Sequence, residues 1–230
     1  MNSSQSAKAH CAWAFADAPI FERKIRISTQ YMPLPLTNEE KEIFQLARPH
    51  LQVMSNELHT VEVVGFCLRL MQSVGGDRHI VIPAAILHDT GWAKIPEKVS
   101  QKIRIPDGEK ESIKVHEEIS ALIAELILRD VNYDRAYIDE IIAIIIGHDS
   151  RRQPLSLNDK IVKDGDKLSR FSKRFLPIWP QWGDGAEAKD LFGALSHGVK
   201  NWFFLSDSRK MATHELRHRM AESRSRLENL

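Results

Sequence analysis

Cysteine is scarce in this 230-residue chain: Cys11 and Cys67 are the only two. Two thiols so far apart give neither a disulfide framework nor a CxxC metal or redox motif, and a reducing cytoplasm is the expected compartment. Long apolar runs are also missing, none exceeding the six residues of Ile141 to Ile146. A membrane helix needs about 20 such residues, so no membrane partner is expected. The uncharged stretch from Ala9 to Ala16 is interrupted by His10 and ended by Asp17, which argues against a secretory core. Neither sign of charge dominates: 32 Lys and Arg face 31 Asp and Glu, for a net charge of +1. That balance gives no reason to expect nucleic acid as a partner. Alternating apolar and polar residues of the β kind, internal repeats and low-complexity tracts are absent as well.

What is present is helical periodicity in a normally hydrophobic chain, 43% apolar and 27% charged. Residues 1–36 lack the period, contain the Pro33 to Leu36 PLPL segment, and are expected to be an extended arm. Thr37-Asn38-Glu39-Glu40 has capping-box form and predicts a helix that Pro49 ends or bends. Val61, Val64, Leu68 and Met71 predict a second helix over about 57–73, stopped by Gly75-Gly76. Pro83 to Asp89 reads as a short helix opened by its proline and closed by Gly91.

A lysine-rich connection, Lys94 to Lys110, leads to an amphipathic helix over about 111–129, with Ile113, His116, Ile119, Ser120 and Ile123 on one face. The isoleucine-rich segment from Asp134 to Gly147 is expected at the centre of the core, and Asn158 is expected to cap the helix that follows. Past the Pro177 to Gly185 stretch, two more helices are expected at about 186–204 and 207–227. The expectation is an all-α fold: arm 1–36, helical core 37–175, and a C-terminal helical extension 176–230 packed on the core. The last helix, mixing Arg217, Arg219, Arg224 and Arg226 with Glu215, Glu222 and Glu228, suits a surface or a homodimer contact.

Chemistry enters with His59, His88-Asp89, His116, His148 and Asp166, which sit on helices or at their ends, mostly among apolar residues. Burying so many polar side chains is costly unless each finds a partner, and a divalent cation satisfies several at once. Imidazoles mixed with carboxylates suit zinc, manganese or iron better than magnesium. Neighbouring helical residues point about 100° apart, so His88 and Asp89 reach one ion only where the backbone turns. Asp89 has two oxygens and can bridge two ions. A lone histidine on an apolar helix is more often a satisfied core residue, so the weight rests on the ordered set.

That set resembles the HD-domain superfamily of metal-dependent phosphohydrolases, a helical fold whose ligands run His, His-Asp, Asp. The resemblance covers about residues 37–175. Its pieces are Glu57-Leu58-His59-Thr60-Val61, then Ala85-Ile86-Leu87-His88-Asp89-Thr90-Gly91, then Val162-Lys163-Asp164-Gly165-Asp166-Lys167-Leu168. His116 and His148 look like the second-metal ligands of dinuclear members. By that carry-over His59, His88, Asp89 and Asp166 hold one ion, and Asp89, His116 and His148 the other, with Asp89 also catalytic. The implied activity is cleavage of a phosphate ester or phosphoanhydride of a small molecule, such as a nucleotide, by a metal-activated water.

The spacing is similar to that of symmetrical dinucleoside-tetraphosphate hydrolases. Diiron oxygenases acting on inositol or phosphonates share the ligand order, so that chemistry stays open, as does a non-catalytic metal- or nucleotide-binding regulator. Cyclic-dinucleotide phosphodiesterases of the HD-GYP group have His-His where this chain has His148-Asp149, and no GYP triplet lies near Glu109 to Ile119. Relatives often carry a lysine just after the glycine of the HD segment; here Trp92 stands there and Lys94 follows two later. Lys94 and Arg151 are the expected phosphate ligands, with Lys98, Lys102, Arg104 and Arg152 as further basic residues nearby. Glu62 is a candidate proton shuttle one turn beyond His59, and Trp179 and Trp182 are candidate stacking partners for a base.

Overall fold

In the computed structural model the described residues are 34–96, 110–174 and 188–228. The expected arm up to residue 33, Lys98, Lys102, Arg104, Trp179 and Trp182 lie outside them. Among the described residues there are eight α-helices, two short 3-10 segments and no strand, so the fold is all-α. None of these helices is long and apolar enough to cross a membrane.

Helix α1 (Asn38–Ala47) starts on the expected capping box: Thr37 Oγ1 accepts from the Glu40 amide at 3.2 Å, and Glu40 Oε2 accepts from the Thr37 amide at 2.7 Å. Pro49 falls in the 3-10 turn Arg48–His50 that ends it. Helix α2 (Asn56–Val74) stops at Gly75, as read from the sequence.

Helix α3 (Arg78–Leu87) departs from expectation, because Asp77 rather than Pro83 opens it. The Asp77 carboxylate accepts from the His79 amide at 2.9 Å, and Pro83 lies inside the helix. An interior proline has no N–H, which orphans the carbonyl four residues back, here that of His79. Tyr133 Oη donates to that carbonyl at 2.7 Å and repairs the break.

Every residue from Ile80 to Leu87 is buried, and α3 packs against α1, α2 and three later helices: α4 (Lys110–Asp130), α5 (Arg135–Ile145) and α6 (Leu157–Ser169). The central helix is therefore α3. The isoleucine-rich α5, expected there, buries Ile138, Ile141, Ile144 and Ile145 but leaves the following Ile146 44% exposed. Its carbon-rich face is one-sided, whereas α3 is surrounded.

The cap of α6 is Ser156, whose hydroxyl accepts from the Asp159 amide at 3.2 Å. Asn158, expected in that role, instead ties α6 to its neighbours: its Oδ1 accepts from the Asp77 amide at 2.8 Å and its Nδ2 donates to Glu140 at 3.0 Å. Helix α8 (Ser206–Glu228) packs on α7 (Ala188–Asn201), α6 and α2. The Asp164 carboxylate holds the turn before α8, accepting from the amides of Phe204 and Leu205 at 3.0 and 2.9 Å.

Two glycines set the close approaches that matter for the site. A Cβ on Gly165 would lie 2.5 Å from Cys67 Sγ, so its absence lets α6 press against α2. A Cβ on Gly91 would lie 2.1 Å from the His116 carbonyl oxygen. Gly91 is required for this proximity: its amide donates to Ser120 Oγ at 2.8 Å and brings α4 against the His88-Asp89 turn.

Two outcomes follow. Tyr133→Phe should destabilise the protein by about 0.5–1.5 kcal/mol in urea unfolding, the net worth of a part-buried hydrogen bond. Gly91→Ala should cost at least about 1–3 kcal/mol by overpacking, since the clash is with backbone, and should also perturb the His116 imidazole resonances in NMR spectra.

Candidate metal centre

Five elements deliver six side chains to one buried point. His59 comes from the first turn of α2, His88 and Asp89 from the end of α3, His116 from α4, His148 from just past α5, and Asp166 from α6. All six are buried. The backbone does turn between His88 and Asp89: α3 ends at Leu87, Asp89 sits at φ −108°, ψ 9°, and a 3-10 segment, Thr90–Lys94, begins directly after it. Asn56 Nδ2, at the start of α2, donates to the Asp89 carbonyl at 3.4 Å and ties the His59 helix to this turn.

The six form two clusters sharing one carboxylate. In the first, His59 Nε2 lies 3.2 Å from His88 Nε2, 3.3 Å from Asp166 Oδ1 and 3.4 Å from Asp89 Oδ2. In the second, His116 Nε2 lies 3.3 Å from His148 Nε2, and these two nitrogens are 3.6 and 3.3 Å from Asp89 Oδ1. Each oxygen of Asp89 thus faces its own pair of imidazoles.

The donor chemistry fits a cation. His88 Nδ1 and His148 Nδ1 are each 2.9 Å from a carbonyl oxygen, of Ala85 and Ile145 respectively. A carbonyl only accepts, so both rings carry the proton on Nδ1 and, when neutral, point the Nε2 lone pair inward. His59 follows by the same logic: Ser169 Oγ donates to the Asp166 carbonyl at 2.7 Å, so it accepts from His59 Nδ1 at 3.1 Å. Converging lone pairs repel in a buried site unless a positive charge lies between them. Donors on bonds of about 2.0–2.2 Å lie roughly 3–3.5 Å apart, which matches most of these separations.

Protonation follows the same field. Burial pushes the His88 pKa down to about 4 and lowers that of His116 as well, so both rings are neutral. Burial opposes ionisation of Asp89 too, but the surrounding imidazoles of His88, His148 and His59 hold its carboxyl well below the usual range. His148 goes the other way: against burial, the hydrogen bond to Asp89 and the charge of Asp149 lift its pKa to about 9. Without a metal, the His148 ring keeps its extra proton at neutral pH.

A second layer of residues fixes these donors, and sequence reasoning had not given them roles. Trp92 stacks on the His116 ring, with centroids 4.1 Å apart and planes 16° apart, while its Nε1 donates to Asp89 Oδ1 at 3.1 Å. Glu117 Oε1 accepts from the amides of Asp149 and Ser150, both at 2.8 Å, and pins the loop that carries His148. Lys163 Nζ gathers the carbonyls of Gly147, His148 and Arg151 from the other side. Lys167 donates to Asp166 Oδ2 at 2.7 Å and to Asp149 Oδ1 at 2.8 Å. Trp92 and Glu117 had a signal, each standing directly beside or near a ligand in the chain. Lys163 had none, since only folding brings α6 under the loop.

The expected phosphate ligands are arranged differently. Lys94 is exposed at the end of the 3-10 segment, and its charge, after burial, helps lower the His50 pKa. Arg151 is committed to the scaffold, donating to the Ala143 and Ile146 carbonyls at 3.1 and 2.6 Å and pairing with Asp159 at 2.8 Å. Glu62 pairs with Arg174 at 3.5 Å, and burial raises its pKa.

Metal binding should therefore release a proton. Between pH 7 and about 9 the metal-free His148 is charged, and its extra stabilisation of the fold, complete below about 6.5, disappears as pH rises through about 9. An ion must displace that proton, so apparent affinity should rise with pH, by up to about tenfold per unit, and level off above 9. Titration calorimetry in two buffers of different ionisation enthalpy should report release of about one proton at pH 7.

Residues 57–170 match the HD domain family model. The fold is also similar to the crystal structure of a predicted HD superfamily hydrolase from an uncultured Thermotogales bacterium. The two are 20% identical over 82% of this chain and 91% of that one, with a TM-score of 0.52. At that identity the likeness is one of fold. No curated protein matches the sequence. His59, the His88-Asp89 pair and Asp166 all fall within the matched segment and meet in space, and the chain belongs to the HD-domain superfamily.

Proposed function

We propose that this protein is a metal-dependent phosphohydrolase that cleaves a phosphate ester or phosphoanhydride in a small molecule, a nucleotide being the leading class. The observation that carries this reading is the Asp89 carboxylate, whose two oxygens face two separate histidine pairs. His59, His88, Asp89 Oδ2 and Asp166 would hold one divalent ion. His116, His148 and Asp89 Oδ1 would hold a second. Iron, manganese or zinc suits four imidazoles better than magnesium does. Bound divalent ions supply Lewis acidity, polarising a phosphoryl group and acidifying water to a nucleophile near neutral pH.

The chain's own part is positional. Asp89 fixes both donor sets through one rigid side chain, and the carbonyl partners of His88 and His148 keep their Nε2 lone pairs aimed inward. His148 would be neutral while its Nε2 holds an ion. Lys94 remains exposed and available to a substrate phosphate. Arg170 is a further cation near the clusters, 3.7 Å from Asp166 Oδ2 and 5.5 Å above the Trp202 ring. The HD superfamily name of the structural neighbour, a hydrolase, agrees with this reading.

The test is phosphate release from a panel of nucleotides and small phosphate esters, by metal-stripped protein reloaded with manganese, zinc or iron(II) without oxygen. Metal-dependent turnover is expected, with Asp89→Ala slower by at least about a hundredfold. Dioxygen consumption by the iron-loaded protein with no phosphate release under any metal would replace this reading with an oxygenase. Nucleotide binding with no turnover at all would replace it with a regulator.

A further inference from the structure

Asp149 follows His148 directly, as Asp89 follows His88, and the chain folds so that both carboxylates arrive at the centre. Asp149 Oδ2 lies 3.7 Å from His148 Nε2 and 3.9 Å from His116 Nε2. Its other oxygen, Oδ1, is held at 2.8 Å by Lys167 Nζ. The same ammonium holds Asp166 Oδ2 at 2.7 Å, leaving Asp166 Oδ1 toward His59 at 3.3 Å. One lysine thus orients one carboxylate of each cluster in the same way: outer oxygen on the ammonium, inner oxygen on the imidazoles.

We propose that Asp149 is a metal donor of the second cluster, the counterpart of Asp166 in the first, so that each cluster consists of two imidazoles, one oxygen of Asp89 and one carboxylate of its own. This rests on the two-ion reading above. The supporting geometry is specific. The backbone amide of Asp149 is fixed by Glu117 at 2.8 Å, so its side chain leaves from a held position beside His148. Its separations from the imidazoles, 3.7 and 3.9 Å, are about half an ångström longer than the 3.3 Å between Asp166 and His59. Its side chain is 29% exposed against 6% for Asp166. A partly exposed carboxylate has the room to close that gap when a cation pulls on it, whereas Asp166 is already packed in place. Among the described residues His116 Nδ1 has no hydrogen-bond partner, and the ring stacks on Trp92. A second carboxylate there adds the negative charge that two neutral imidazoles and a shared oxygen lack.

The experiment is calorimetric titration of the metal-stripped full chain with manganese(II) alone, so that no turnover enters the readout. The wild type should take up two equivalents. Asp149→Asn and Asp149→Ser should bind the first equivalent within about threefold of wild type and the second about 10- to 100-fold more weakly, whereas Asp166→Asn should weaken the first. Far-UV circular dichroism of each metal-free variant checks that it is folded, and the serine variant stands in should the asparagine variant fail. Unchanged binding of the second equivalent in both Asp149 variants overturns the proposal while leaving the two-ion reading intact. Equal weakening of both equivalents also overturns it, by showing that Asp149 acts through Lys167 on the whole centre. A wild type that takes up one equivalent only removes the two-ion reading and this proposal together.

Discussion

The carboxylate of Asp89, buried among four imidazoles, is the contact on which the rest of the structure depends. A buried carboxylate is tolerated only when its lone pairs are matched, and burying one without partners costs several kcal/mol. Here the matching groups come from four other places in the chain: α2, the last turn of α3, α4, and the segment just past α5. The Trp92 indole N–H adds a further donor from the turn after α3. The helices cannot shift relative to one another without leaving this charge unmatched. The centre therefore constrains the bundle as much as the bundle builds the centre.

Around that carboxylate the structure assigns two jobs to two kinds of group. Carbonyl oxygens and a serine hydroxyl hold the outer nitrogens of His59, His88 and His148, which sets where the inner lone pairs point. Charged groups hold the outer oxygens and the loops: Lys167 for Asp149 and Asp166, Glu117 and Lys163 for the segment that carries His148. Both layers are largely buried, where hydrogen bonds are directional and strong, so the inner donors keep their aim. His116 is the exception. Its ring stacks on the flat face of Trp92 instead.

Much of this could be read from the chain because the relevant signals are local. Helix α1 and its capping box follow from Thr37 and Glu40, which are three residues apart, and the end of α2 follows from a glycine pair. The six principal donors stood out because histidine and aspartate are conspicuous among isoleucine, leucine and valine. The misreadings share a different cause. Pro83 looked like a helix start because its missing N–H is harmless there; in the fold Tyr133, fifty residues on, repairs the defect instead. Asn158 looked like a cap and became a bridge between α6 and two neighbours. Arg151 looked free to bind phosphate, yet Asp159 and two carbonyls claim its guanidinium. In each case the deciding partner lay elsewhere in the chain.

The sequence by itself determined the helical class, most helix limits, and the identity of the six side chains that meet, because periodicity and residue chemistry are properties of short stretches. Only the tertiary structure decided that Trp92, Glu117 and Lys163 brace those donors, that one ammonium serves both Asp149 and Asp166, and that Gly91 and Gly165 are needed for close approach. Those outcomes depend on distances of a few ångströms between elements far apart in the chain. Such distances exist only once the core has packed.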